Sequence, residues 1–444
     1  MKTNKKIVTV LTALIVAVIG GYLMIEKPLA KNDLLSLSPR SGDGSASSEY
    51  LNAERSAMRY RDEIQKNPGV LKNYIQLAQV FLQEGRVTGN NGEYIPKAKY
   101  LLSEVFKRDP ENFEALITSA SIAATLHQFN EAKQLTERAI ARNPHNAFAY
   151  GVLCDAFVEL GRYDEAVKAC DKMMSIRPDL RSYARTSYIR ELYGDVDGAM
   201  TAMKYAADAG VSGQENRAWV LYNLAMLYFN EGHLDTAEYI FTGILQERPN
   251  YAHALNGLAR VKSHQQDYET AIKLYQKAIA SLDESAFHES LGEVYQVMGD
   301  EINMRKSYDR AEVLYEKEKE NGEDNALEMA RFFALHDRNL SDALEMAKAG
   351  AQRRPSILGY ETLALALYKN GVNTEAWDAI CQAMRLGTRD ASLYYLAGMI
   401  AGKNNNGTLA TQYLQRALSI NRNFSLIYAA EAERIVGHNN PIGS

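Results

Sequence analysis

The chain predicts an all-α solenoid built from helix-turn-helix units. Three observations point to it. Pro110, Pro144 and Pro178 stand 34 residues apart, and a fixed period of that size marks an array of repeated supersecondary units. Gly161, Gly194, Gly232, Gly299 and Gly371 each follow a first helical stretch at the same point of a unit, where only glycine takes the left-handed conformation without strain. Proline is scarce, 10 in 444 residues, while Ala, Leu, Glu and Lys are frequent. Alternating Val/Ile/Thr runs bounded by Asn-Gly turns are nearly absent, which argues against a large sheet. Such an array needs no division into separate domains, because each unit packs on its neighbours.

The first segment stands apart. Lys2, Lys5 and Lys6 precede an uncharged run at residues 7–25. A helix of that length spans about 28 Å at ~1.5 Å per residue, close to the ~30 Å hydrocarbon core. The lysines keep their side cytoplasmic, so residues 1–25 read as a membrane anchor with the remainder outside the cytoplasm, periplasmic in a Gram-negative cell. A cleaved signal peptide followed by secretion is the alternative, although no A-x-A site follows the run. Residues 26–48, rich in Ser and Gly, read as a flexible linker. Residues 49–70 show helical spacing through Leu51, Met58 and Ile64 and stop at Asn67-Pro68-Gly69, as a capping helix.

The array itself occupies residues 71–422. Pro68 and Pro110 are 42 residues apart, eight more than the period, and the surplus reads as an insertion at residues 86–96, either a tolerated surface loop or a partner contact. Residues 147–180 form the best-phased unit, with two amphipathic stretches around Gly161-Arg162-Tyr163-Asp164. The charged run ending near Gly322 reads as an extension of a second helix with a solvated face. Residues 423–444 read as a closing helix, carrying Ala429, Ala430 and Ala432, and a tail.

The residues inside the units resemble the tetratricopeptide repeat. That family places large apolar residues at positions 4, 7, 11 and 24, small ones at 8, 20 and 27, and often proline at 32. The unit at residues 147–180 has Tyr150, Leu153, Phe157 and Cys170, then Cys154, Ala166 and the departing Met173, with Pro178. The unit from Ala218 has Leu221, Leu224, Ala225, Tyr228, Ala237, Phe241 and Pro249. Weaker matches continue to Leu363, Ala364, Ala376 and Ala383, then Gly398, Ala410, Leu414 and Ala417. The resemblance implies nine or ten repeats wound into a right-handed superhelix, and small residues that let paired helices approach closely.

It also implies a binding face. In the family, first-helix positions 2, 5, 9, 12 and 13 line the concave groove. They carry over to Trp219, Tyr222, Met226 and Phe229, flanked by Tyr188, Phe148, Asp155 and Arg260. Aromatics of this kind are enriched at binding hot spots. Packing between adjacent first helices would account for the same stripe. The family's clamp for a terminal carboxylate is absent, since Ala184 and Tyr188 stand where its Lys and Asn would.

Catalytic signatures are missing. No phosphate-cradling G-x-x-x-x-G-K-[ST], zinc-binding H-E-x-x-H, nucleophilic G-x-S-x-G or calcium loop occurs, so neither catalytic residues nor a cofactor, metal or small-molecule substrate is expected. His253, His264 and His336 read as polar surface residues of the concave side. With Lys+Arg 50 against Asp+Glu 55, a net charge of −5 gives no general attraction to nucleic acid. Cys154 and Cys170 fall on facing helices of one unit: export would permit a disulfide, and two buried thiols would fill the same space. Cys381 reads as core. The expected function is a non-catalytic scaffold that binds partner proteins or peptides in its groove and assists assembly of an envelope complex. An oligomerisation spacer and an accessory subunit of an enzyme complex are the alternatives.

Overall fold

The computed structural model describes residues 35–40 and 48–439. The anchor read at residues 7–25 lies outside them. No helix among the described residues is long and apolar enough to cross a membrane. The described residues form 22 helices and no strand: a leading helix Ser48–Lys66, ten antiparallel helix pairs from Leu71 to Ile420, and a closing helix Ala429–Asn439. The all-α solenoid is therefore the observed fold.

Local chemistry explains each hairpin. In the pair Ala147–Glu159 and Tyr163–Ile176, Asn146 caps the first helix by accepting the Ala149 N–H. Gly161 then turns the chain at φ 67°, and the Arg162 N–H reaches back to the Phe157 carbonyl at 2.8 Å. This satisfies a carbonyl the helix end would leave open. Gly194, Gly232, Gly299 and Gly371 repeat the turn, while His127, Gln266, Asp337 and Asn405 accept a left-handed φ in other units. Small residues then let the paired helices meet. Ala120, Ala132, Ala166, Ala225, Ala237, Ala259, Ala271 and Ala364 are fully buried. Gly257 takes this role one step further, since a Cβ there would strike the Phe241 ring.

Two elements differ from the sequence reading. Residues 86–96 are not an inserted loop. Helices Leu71–Thr88 and Asn91–Phe106 close almost upon one another, with Gly89 at φ 70° between them. The surplus lengthens both helices, and Pro96 is accommodated inside the second. Residues 35–40, read as linker, are held. Leu35 is buried, Arg40 forks onto Glu84 at 2.6 and 3.0 Å, and Lys97 donates to the Ser36 carbonyl at 3.0 Å. Local composition cannot reveal partners that lie more than forty residues ahead.

The array also touches itself. Contacts recur at a separation of about 194 residues, nearly six units on. Tyr163 Oη accepts the Ile357 N–H at 2.7 Å, and Asp324 N–H reaches the Leu126 carbonyl at 3.0 Å. Thr388 Oγ1 donates to the Leu192 carbonyl at 2.6 Å, and Asn421 Nδ2 donates to Phe229 O at 3.1 Å. Arg354 bridges Glu159 at 3.0 Å while holding Glu328 of its own helix pair at 2.8 Å, and Arg389 meets Glu231, less far back along the chain, at 2.7 Å. These contacts stitch one turn of the coil to the next along a continuous seam. The seam gives some turn glycines a second duty: a Cβ at Gly161 would strike the Pro355 carbonyl, and one at Gly194 would lie 2.6 Å from the Gly387 carbonyl. It also absorbs the end of the charged run. Glu301–Glu320 is one long helix, as its sequence suggested, but past its end the Gly322 carbonyl accepts from Gln128.

Candidate functional site

Because the coil closes, its concave surface is a lumen. Consecutive first helices line it, and residues at equivalent positions stack along its wall. Tyr188 lies on the helix Leu180–Leu192 and keeps 43% of its surface exposed. Surrounding protein still strips water from its phenol, and this desolvation, with Glu159 and Glu191 nearby, pushes its pKa well up. Trp219 is equally exposed. Tyr222 is half-buried, tilted against Phe241 and His253 with ring centroids 5.9 and 5.6 Å apart. Phe148 lies under the Arg181 guanidinium at 5.2 Å. Asp155 accepts a fork from Arg185 at 2.6 and 2.8 Å.

Phe229 is no open contact surface and instead floors a cleft between the turns. It is 2% exposed, with His264 edge-on at 5.0 Å and Arg260 over its face at 4.7 Å. Arg260 also points at the Met226 sulfur, 3.7 Å away. Phe229 is thus the floor on which Arg260 rests. Close winding of the coil accounts for the difference, since neighbouring first helices crowd the innermost positions. The same crowding corrects the histidines. His336 is 1% exposed in its side chain and stacks on Tyr308 at 4.3 Å. Burial, then Arg260, holds His264 down to about 3; burial, then Arg86, holds His253 down to about 4. Cys381, read as core, is exposed. Cys154 and Cys170 are buried free thiols, and Cys170 Sγ lies 3.5 Å from Thr186 Oγ1.

Near Arg260, three charged residues escaped the sequence reading: Arg331, Glu361 and Asp390. The cleft, about 390 Å³ in volume, opens between the two turns, lined by Glu191, Arg260, Arg331, Glu361 and Asp390 together with the seam residues Thr388 and Asn421. Glu361 approaches Arg331 only to 3.9 Å. Burial, then repulsion from Asp390 and Glu231, pushes Glu191 up to about 7. Burial raises Glu361 to about 7 as well, with Asp390 adding to it and Arg331 opposing. The signal was available: Glu289 and Glu361 fall at position 5 of their units and Glu293 at position 9, in units phased by Gly299 and Gly371.

Glu289, Glu293 and His336 bring ligand-type atoms within 4.8 Å of one another, so these three could hold a metal ion. Their present bonding is an ion network. His336 Nε2 lies 3.1 Å from Glu289, Tyr315 donates to the same carboxylate at 3.4 Å, and the Arg260 and Arg331 charges act on Glu293. The lumen as a whole offers aromatic faces and fixed charges, which suits binding.

Comparison with known proteins agrees with the helix pairs. Sequence profiles of the tetratricopeptide repeat match residues 123–186, 228–292 and 391–424, so these segments are tetratricopeptide repeats. The chain is 25% identical over 168 residues to the cellulose synthase operon protein C of Pseudomonas fluorescens (strain SBW25), covering 36% of this chain and 13% of that protein. It is 24% identical over 240 residues to the human Superkiller complex protein 3, covering 51% of this chain and 15% of the relative. The chain thus spans under a sixth of either relative. Among solved structures, it overlaps a thermophilic tetratricopeptide-repeat protein of Thermus thermophilus at 21% identity and TM-score 0.38, over 46% of this chain and 100% of that one. The Cut9–Hcn1 hetero-tetramer of the APC/C aligns at 13% identity and TM-score 0.36, over 88% of this chain and 97% of that one.

Proposed function

We propose that this array of tetratricopeptide repeats is a non-catalytic scaffold that holds a partner protein or peptide in its lumen. One observation carries the reading. At positions that line the groove in tetratricopeptide repeats, two successive first helices carry Tyr188, Trp219 and Tyr222, two of them substantially exposed, with the fixed charges of Asp155 and Arg260 at further such positions. Rigid aromatics flanked by oriented charges are what hot spots use. A spacer without a ligand has no need to leave such side chains uncovered.

The scaffold would serve assembly of an envelope complex, held to the membrane by residues 1–25 with its repeats outside the cytoplasm. The lysine-flanked apolar run supports this placement, and so does the similarity to a protein of a cellulose synthase operon. Protease added to spheroplasts tests the topology: the repeats should be digested without lysis. The binding role is tested by replacing Tyr188 and Trp219 together with Ala. Partners recovered with the unmodified protein should be lost while far-ultraviolet circular dichroism stays unchanged. Partners that persist on the folded double variant would remove the lumen as the binding face.

A further inference from the structure

We propose that the occupant of the lumen is an extended polypeptide segment rich in lysine or arginine, which threads in along the coil axis by a free end. The inference rests on the lumen being the binding face, and it follows from closure and charge.

Closure sets the shape of the partner. In an open groove a folded domain can settle from the side. Here the side is shut. The Tyr163–Ile357, Thr388–Leu192 and Asn421–Phe229 hydrogen bonds and the Arg354 bridge to Glu159 span the gap between turns. The cleft that remains, about 390 Å³, sits at the small end of ligand pockets and admits a few residues of one strand of chain. Tyr188 and Tyr222 stand on successive first helices, where the Glu191 charge acts on the first phenol and the Arg260 charge on the second.

Charge sets the composition. Pairs that already neutralise each other, such as Arg389 with Glu231 and Arg185 with Asp155, leave no demand. Among the described residues, no hydrogen bond or ion pair reaches the carboxylates of Glu191 or Glu293. Glu361 has only its distant approach to Arg331, and Asp390 caps the Leu393 N–H at 3.0 Å. Against these stand two cations, Arg260 and Arg331. A charge held away from water without a partner is costly. An incoming ammonium or guanidinium relieves that cost, and the tyrosine faces add cation–π attraction. An acidic segment meets the opposite field.

The test uses the full chain and three fluorescent twelve-residue peptides, spaced with Gly and Ser, whose remaining residues are lysine, glutamate or glutamine. The lysine peptide is also made with a small folded domain fused at one end, and with such domains at both ends. A photo-reactive residue in place of Tyr188 reports whether each peptide lies in the lumen. The lysine peptide should bind at least tenfold more tightly than the glutamate and glutamine peptides and crosslink from position 188. Glu191→Gln with Glu361→Gln should weaken it about tenfold. One folded end should be tolerated, and two should abolish binding. Lumen crosslinks that favour the glutamate or glutamine peptide overturn the basic occupant and leave the binding face standing. Full binding with both ends blocked overturns the threading. No crosslink from position 188 with any peptide or any natural partner overturns the binding face as well.

Discussion

Replacing Arg354 with Ala tests whether the seam, and not only contact between neighbouring units, holds the coil. The Arg354 side chain is 5% exposed and serves two carboxylates at once, Glu328 in its own helix pair and Glu159 a full turn away. Its guanidinium also lies 5.2 Å over the Phe129 ring. Removing one partner of a buried ion network typically costs about 3–5 kcal/mol, because the remaining charges lose their compensation. Glu159 and Glu328 keep partial access to water, with 19% and 26% of their side chains exposed, so we expect about 2–4 kcal/mol. Arg353→Ala is the control. That arginine pairs with Asp324 at 2.6 Å but is 47% exposed, and such surface pairs contribute about 0–1 kcal/mol. Urea unfolding of both variants measures the difference. Small-angle scattering measures the shape, and the Arg354 variant should show a larger radius of gyration as the turns part. Equal losses in the two variants, with unchanged radii, would refute a load carried between turns.

Three further outcomes follow from the same contacts. Gly194→Ala should cost more than Gly371→Ala in thermal unfolding. Both positions have φ near 75°, but an added Cβ meets the Gly387 carbonyl at the first and open space at the second; equal costs would count against the seam. Glu361→Gln should stabilise the protein well above pH 7 by up to about 3 kcal/mol, at about 1.36 kcal/mol per pKa unit, the Arg331 attraction being already part of the raised value. The sign follows from a folded carboxyl raised to about 7 from 4.5: its contribution is fully present below the unfolded value, shrinks as pH rises, and is lost above 7. The variant's stability should therefore fall less between pH 5 and 7, and an equal or steeper fall would contradict the assignment. Cys381 should react with a maleimide in the native protein, whereas Cys154 and Cys170 should react only on unfolding in reductant; fast labelling of all three would contradict their burial.

The fold was readable because its rules are local. Proline phase, turn glycines and small residues act within one unit, so Gly161, Ala166 and Ala237 could be placed from the chain alone. What escaped depends on how far the coil winds, which no single unit encodes. That winding buries Phe229 and His336 and brings Glu159 to Arg354. It also gathers Glu191, Glu361 and Asp390 around one cleft, from units nearly two hundred residues apart. Tyr188 and Trp219 were assigned from the family's concave positions, and both keep 43% of their surface exposed. Arg331 falls in a unit too worn to phase, whereas Glu293 stands in a unit that Gly299 phases but away from the aromatic stripe.

The most direct test of the lumen as the binding face is site-specific photo-crosslinking in the native cell. A photo-reactive residue is placed at Tyr188, at Tyr222, or at Tyr239, which is 80% exposed on a second helix. Our account predicts partner adducts from positions 188 and 222 and none from 239. Adducts from 239 alone, with the lumen positions silent, would contradict it.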